Sequence, residues 1–227
     1  MRTISIKTEL KKQVIYNNPH HFWSWFKQDL YMVQNYPSLN SVRDFAVWFS
    51  THLYYYCKGI GFKIVVSSEV IDINFYAGGN PKFIEAIVSL VCKAPKLDNI
   101  KIKSFQEADI TVKDIKEELI IIKTDNLRIQ FNELRYAVDE ICQESRRFGI
   151  TIYYSEFIFI KDKATLINEI YEHLVRYLGE QFIFKKIMYI NFASCYPNNN
   201  YQPVSYLKQD LNNDVIYFLD SVKSIDI

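Results

Sequence analysis

Apolar residues recur at helical spacing early in the chain and switch to strict alternation near residue 62. Asn18 followed by Pro19 starts the first periodic stretch: asparagine caps a helix and proline suits its first turn. The spacing predicts a helix from Pro19 to about Gln34, with Phe22, Trp25, Phe26 and Val33 as its apolar stripe. Pro37 breaks the chain, and a second helix is predicted from about Leu39 to Lys58, ended by Gly59 and Gly61. Its main stripe is Val42, Phe45, Ala46, Phe49, Leu53 and Tyr56.

The period then becomes two. Phe62, Ile64 and Val66 alternate, as do Ile71, Ile73 and Phe75, which predicts two strands joined at Ser67-Ser68-Glu69. Ala77-Gly78-Gly79-Asn80-Pro81 leads into a helix carrying Phe83, Ile87, Leu90 and Val91, and Pro95 stops it. Ile100 and Ile102, alternating with Lys101 and Lys103, form a one-sided strand. The order strand–strand–helix–strand recurs less cleanly, with a strand over 149–160, a helix over 163–178 closed by Gly179, and a strand over 182–192. No sequence identity links the two stretches. Between them, Thr124-Asp125-Asn126 suits a hairpin turn, and Leu134, Val138, Ile141 and Phe148 predict a helix over 133–147. Beyond Ala193 the pattern loosens into a loop, a short helix over 207–211 and a last strand near Tyr217 and Phe218.

No linker rich in Gly, Ser or Pro divides the chain. It is therefore read as one α+β domain over 1–227: an N-terminal arm (1–18), a helical segment (19–58), a sheet–helix core (62–192) and a C-terminal extension (193–227). The expected architecture is a mostly antiparallel sheet with helices packed on one face and the two N-terminal helices at one edge.

Composition narrows the function classes. The 17 Tyr, 16 Phe and 3 Trp outnumber six glycines, so the chain has large surfaces to bury and lacks glycine-rich phosphate loops. With 27 basic and 26 acidic residues the net charge is +1, which argues against nucleic acid as a partner, since charge-driven binding needs a basic excess. The N-terminus has no continuous apolar segment of secretory type, and the longest apolar runs are too short to span a bilayer. Cys57, Cys92, Cys142 and Cys195 lie far apart with no Cys-x-x-Cys. A cytoplasmic location with reduced thiols and no membrane partner follows as the expectation.

The candidate chemistry is thin. His20 and His21 are neighbours on a helix, so their side chains diverge by about 100° and share an ion poorly. Ala77-Gly78-Gly79-Asn80 lacks phosphate-loop spacing. Lys101 and Lys103 share a strand face with Phe105, an arrangement used to stack RNA bases, but a solvated sheet face accounts for it too. The paired acids Glu117/Glu118 and Asp139/Glu140 show nothing that would desolvate them. No cofactor and no metal are expected, and binding without catalysis is favoured over an enzyme, a hydrolase or nuclease, with a dispersed site.

The second helix carries the least ordinary signal. Trp48 and Tyr55 are seven residues apart, on a side about 100° from the Phe45–Phe49–Leu53 stripe, and Tyr54 points in a third direction. Either the first helix covers this second stripe, or it is an exposed aromatic patch of the kind that anchors protein partners. In the second case Trp48 and Tyr55 are the anchors, and Asp44 and Lys58 supply the polar rim.

Phe22-Trp23-x-Trp25-Phe26, Ala94-Pro95-Lys96-Leu97-Asp98-Asn99 and Leu178-Gly179-Glu180 before a β-rich run carry a resemblance. Over roughly Phe22 to Phe192 the chain resembles a family of uncharacterised bacterial α+β proteins with an aromatic N-terminal helix. Members of this kind look like immunity-type proteins of bacterial toxin systems. The resemblance implies a protein partner, a cognate toxin, and carries no catalytic residue.

Overall fold

The computed structural model describes residues 4–7, 16–34, 39–66, 70–124, 127–194 and 201–213. Their contacts cluster into two compact units, residues 10–106 and residues 107–227 together with the N-terminal strand. The boundary falls at Phe105-Gln106-Glu107-Ala108, which has no linker composition and so carries no signal against the single domain expected from the sequence. Both units are α+β, and the sheets are mostly antiparallel.

Strand β1 (Ile4–Lys7) belongs to the second unit. The first unit opens with α1 (Pro19–Gln34) and α2 (Leu39–Tyr56). Asn18 caps α1, its Oδ1 accepting the His20 N–H at 2.9 Å. β2 (Gly61–Val66) and β3 (Ile71–Tyr76) pair antiparallel, with Ile64 opposite Ile73 and Phe62 opposite Phe75. A short turn leads into α3 (Ile84–Cys92), and β4 (Ile100–Ser104) then joins β3 in parallel. Phe75, fully buried, meets the rings of Phe22, Trp23 and Phe49, so α1 and α2 pack over this sheet face. Two buried side chains fix the helices further: Trp23 Nε1 donates to the Leu90 carbonyl and the Tyr56 hydroxyl to that of Ala86, both at 2.7 Å. Phe105 adopts φ +71°, which breaks the alternation and buries its ring. It therefore leaves the face that Lys101 and Lys103 expose.

The second unit contains α4 (Val112–Lys116), started by a reciprocal Thr111/Asp114 capping box, and the hairpin β5 (Ile121–Thr124) and β6 (Leu127–Gln130). The main elements follow: β7 (Arg135–Cys142), β8 (Arg147–Tyr153), α5 (Lys163–Leu178), α6 (Glu180–Lys186), β9 (Ile187–Ala193), β10 (Gln202–Pro203) and α7 (Leu207–Asn212). They build a five-stranded sheet in the order β1-β9-β8-β7-β10, with β9 parallel to β8 and the other pairs antiparallel. Phe148, Ile150 and Ile152 pack one face of it against Leu166, Ile170 and Leu174 of α5. Val204, Leu207 and Leu211 are fully buried in the same core, so residues 201–213 complete it.

Three expectations change. The stretch 133–147 is strand β7 and a turn. A β-bulge beside Asp139 shifts the phase, so that inward residues fall at Leu134, Tyr136, Val138 and Ile141. Bulge spacing mimics helical spacing there. The strand predicted over 149–160 ends at Tyr153, and Phe157–Phe159 forms a 3-10 turn. The strand predicted over 182–192 begins as α6, because Gly179 at φ +87° ends α5 and redirects the chain into a new helix. With β7 in place, β7-β8-helix-β9 repeats the β2-β3-helix-β4 order, an antiparallel pair and then a parallel one. The predicted last strand at Tyr217 and Phe218 lies outside the described residues, as does the Ser67–Glu69 connection. Among the described residues no helix is long and apolar enough to cross a membrane.

Candidate functional site

Three sides of α2 have three environments. Phe45, Phe49, Leu53 and Tyr56 are buried, as their spacing predicts. Trp48 is half-buried, with its ring set edge-on to Trp25 of α1 at 5.4 Å and to His52 at 5.5 Å. Tyr54 and Tyr55 are 55 % and 68 % exposed. α1 thus covers the Trp48 end of the second stripe and leaves the Tyr55 end open. Lys58 holds its ammonium 5.3 Å above the Tyr54 ring, a cation–π contact at the rim. Asp44 is exposed one turn before Trp48, and no hydrogen bond or ion pair among the described residues joins it to the others.

Between the start of α1 and the end of α2 lies an open pocket of about 350 Å³. Phe22, Trp25, Tyr55 and Tyr56 give it aromatic walls, and Asn17, Asn18, His21 and His52 give it polar edges. Asn17 closes one end: its backbone N–H donates to the Tyr56 carbonyl at 2.8 Å, and its side-chain amide donates to that of Tyr55. These bonds satisfy carbonyls that the last turn of a helix leaves without partners. His52 Nδ1 lies 3.0 Å from the Trp48 carbonyl. A carbonyl only accepts, so Nδ1 carries the proton and the other ring nitrogen of neutral His52 is an acceptor. The imidazole stacks flat on Trp25, centroids 3.6 Å apart and planes within 5°. Burial pushes the Tyr56 phenol well above its ordinary pKa, which keeps its hydroxyl a donor.

Sequence reasoning singled out Trp48 and Tyr55 by their heptad spacing and missed Trp25, His52 and Asn17 as partners. The signal available was the four-residue step from Trp48 to His52, which puts both on one side of α2 facing whatever helix packs there. Which residue of α1 meets them is a tertiary fact that spacing within α2 does not contain.

A second polar constellation sits on the sheet of the other unit. At the β7 bulge, one oxygen of Asp139 accepts from the Thr151 hydroxyl at 2.7 Å and from the Asn191 amide at 3.3 Å. Nearby, Gly149 makes room for the Tyr189 ring that covers it: a Cβ there would lie 2.3 Å from that ring. Asp139 is an exposed residue, yet neighbouring protein desolvates its carboxyl enough to raise its pKa despite both hydrogen bonds. Burial, with Asp139 and Glu140 adding negative charge, pushes the Tyr189 phenol up to about 12. A carboxyl with a raised folded pKa binds its proton more readily folded than unfolded, so folding gains stability as pH falls from above that pKa toward about 3.9. Asp139→Asn keeps an oxygen for both bonds and removes the charge. It should be at least as stable as the parent at about pH 7, and its advantage should shrink toward about pH 4 in urea titrations. A variant less stable at neutral pH would refute this account.

Among the described residues no group of three or more His, Cys, Asp or Glu side chains could hold a metal ion. No family model, curated protein or solved structure matches the chain.

Proposed function

We propose that this chain is a non-catalytic cytoplasmic protein whose work is to bind another protein, through the aromatic end of α2 where it meets α1. The observation that carries this reading is the pair of exposed tyrosines, Tyr54 and Tyr55, beside an aromatic pocket and rimmed by Lys58. Rigid rings bury large area at little rotamer cost, which makes them the usual energetic centres of protein interfaces. Tyr55 is the primary anchor. Trp48, half-buried on Trp25, is the support behind it, and Asp44 contributes to the charged rim. The resemblance gives the partner its class: a bacterial toxin that the chain sequesters as an immunity protein.

The test is affinity capture from the native cell with the parent chain and the Tyr55→Ala variant. Tyr55→Ala should weaken capture by about thirtyfold, the effect of truncating an anchor, while stability stays within about 0.5 kcal/mol. A captured partner that is toxic alone and harmless with this chain supports the immunity role. Capture undiminished in the variant removes the docking face, and a partner without toxicity removes the role.

A further inference from the structure

We propose that the pocket between α1 and α2 is a socket for one planar aromatic side chain, tryptophan or tyrosine, of the protein partner. The proposal rests on the docking face described above and names what enters it. The first ground is size and shape. A cavity of about 150 Å³ is enough for benzene, so about 350 Å³ takes an indole or a phenol with its methylene. The walls are aromatic: Trp25 and His52 form a stacked pair, and Phe22 meets Trp25 edge-on at 5.6 Å.

The second ground is charge. Among the described residues no Asp, Glu, Lys or Arg lines the pocket. A carboxylate from the partner would meet ring faces and no counter-ion, and a lysine or arginine would have ring faces alone to offset its lost hydration. Two of the polar groups at its edge keep an acceptor after their own bonds are made. His52 commits Nδ1–H to the Trp48 carbonyl and Asn17 commits its amide N–H to that of Tyr55. Each keeps one acceptor, and an indole N–H or a phenol O–H supplies the matching donor where an aliphatic side chain supplies none.

The third ground is the contrast between two tryptophans of the same helix. Trp23 is 3 % exposed and its Nε1 donates to the Leu90 carbonyl, as core indoles do. Trp25 lines the pocket, and its Nε1 is sealed from solvent with no acceptor among the described residues. Trp25 is thus a wall of the pocket and not a satisfied core indole.

The test uses the full chain labelled with 5-fluorotryptophan. Its three tryptophans give three fluorine signals, assigned with single Trp→Phe variants. Indole should shift the Trp25 signal saturably, with a Kd on the order of 1 mM for so small a ligand, and leave Trp23 in place. Tyr55→Ala should weaken that binding about fivefold, the loss of one ring contact, and His52→Ala comparably. Tyr55 is exposed, so its variant stays informative if His52→Ala fails to fold. Tetramethylammonium and acetate should leave Trp25 unmoved. A Trp25 shift from either ion, or none from indole, overturns the socket even if Tyr55→Ala abolishes capture of the partner. Saturating indole should also release the captured partner; binding without release would mean that the pocket takes free aromatic compounds, which overturns the assignment to a partner's side chain.

Discussion

Phe49→Ala should lower the stability of the 10–106 unit by about 3–5 kcal/mol, the range for truncating a fully buried phenylalanine. Phe49 is completely buried, and six rings surround it: Phe22, Trp25, Phe26, Phe45, Phe62 and Phe75, at centroid distances from 4.8 to 6.2 Å. Phe22, Phe26, Phe45 and Phe75 are buried and touch further rings, so the surroundings collapse only partly into the space left behind. The cavity term therefore adds to the lost transfer energy. Domains of this size are stable by only about 5–15 kcal/mol, so the loss is a large share of the total. Urea titration followed by tryptophan fluorescence measures it, with Tyr54→Ala as the comparison. Tyr54 is exposed, and its removal should change stability by no more than about 0.5 kcal/mol. A loss below about 1 kcal/mol for Phe49→Ala would show that the aromatic cluster is loosely packed.

Tyr136→Phe should destabilise the other unit by about 2–3 kcal/mol, although it removes one oxygen atom. Tyr136 is fully buried, and its hydroxyl donates to Asp210 of α7, itself 7 % exposed. Deleting the hydroxyl leaves a carboxylate without that donor in a place water hardly reaches, which costs more than the bond contributed. The control is the double variant Tyr136→Phe with Asp210→Leu. If the unpaired carboxylate is the cause, the double variant should be more stable than Tyr136→Phe. Equal or lower stability would assign the loss to packing. α7 is held to the same core by Leu207 and Leu211, so the single variant should loosen the C-terminal segment first. Faster amide exchange over 204–212 would report that.

The fold was legible where one signal acted alone. α5 has an uninterrupted stripe, an Asp162 cap accepting the Thr165 N–H at 3.1 Å, and Gly179 at its end. β2, β3, α3 and β4 each kept a clean period between turn residues. Reading failed where a local irregularity changed the phase. The bulge beside Asp139 turned a strand's alternation into apparent helical spacing, and the positive φ of Gly179 let one helix follow another where Phe182, Phe184 and their neighbours read as β. The candidate site divided in the same way. The heptad pair Trp48 and Tyr55 is a property of α2 and was visible. That Trp25 would cover one member and leave the other open depends on how two helices cross, and the pocket between them is a product of that crossing.

The pairing of β1 with β9 has a kinetic consequence. Ile4 lies opposite Phe192, so β1 is hydrogen-bonded to a strand synthesised long after it. The 10–106 unit has all its strands once Ser104 has emerged from the ribosome and can fold while the rest is made. At about 5–20 residues per second, the N-terminal strand then waits several more seconds for its neighbour. Once β9 docks on β8, its outer edge remains open until β1 arrives, and an open edge is a template for pairing with another chain. The interval between those two events is when a nascent copy is most exposed to aggregation.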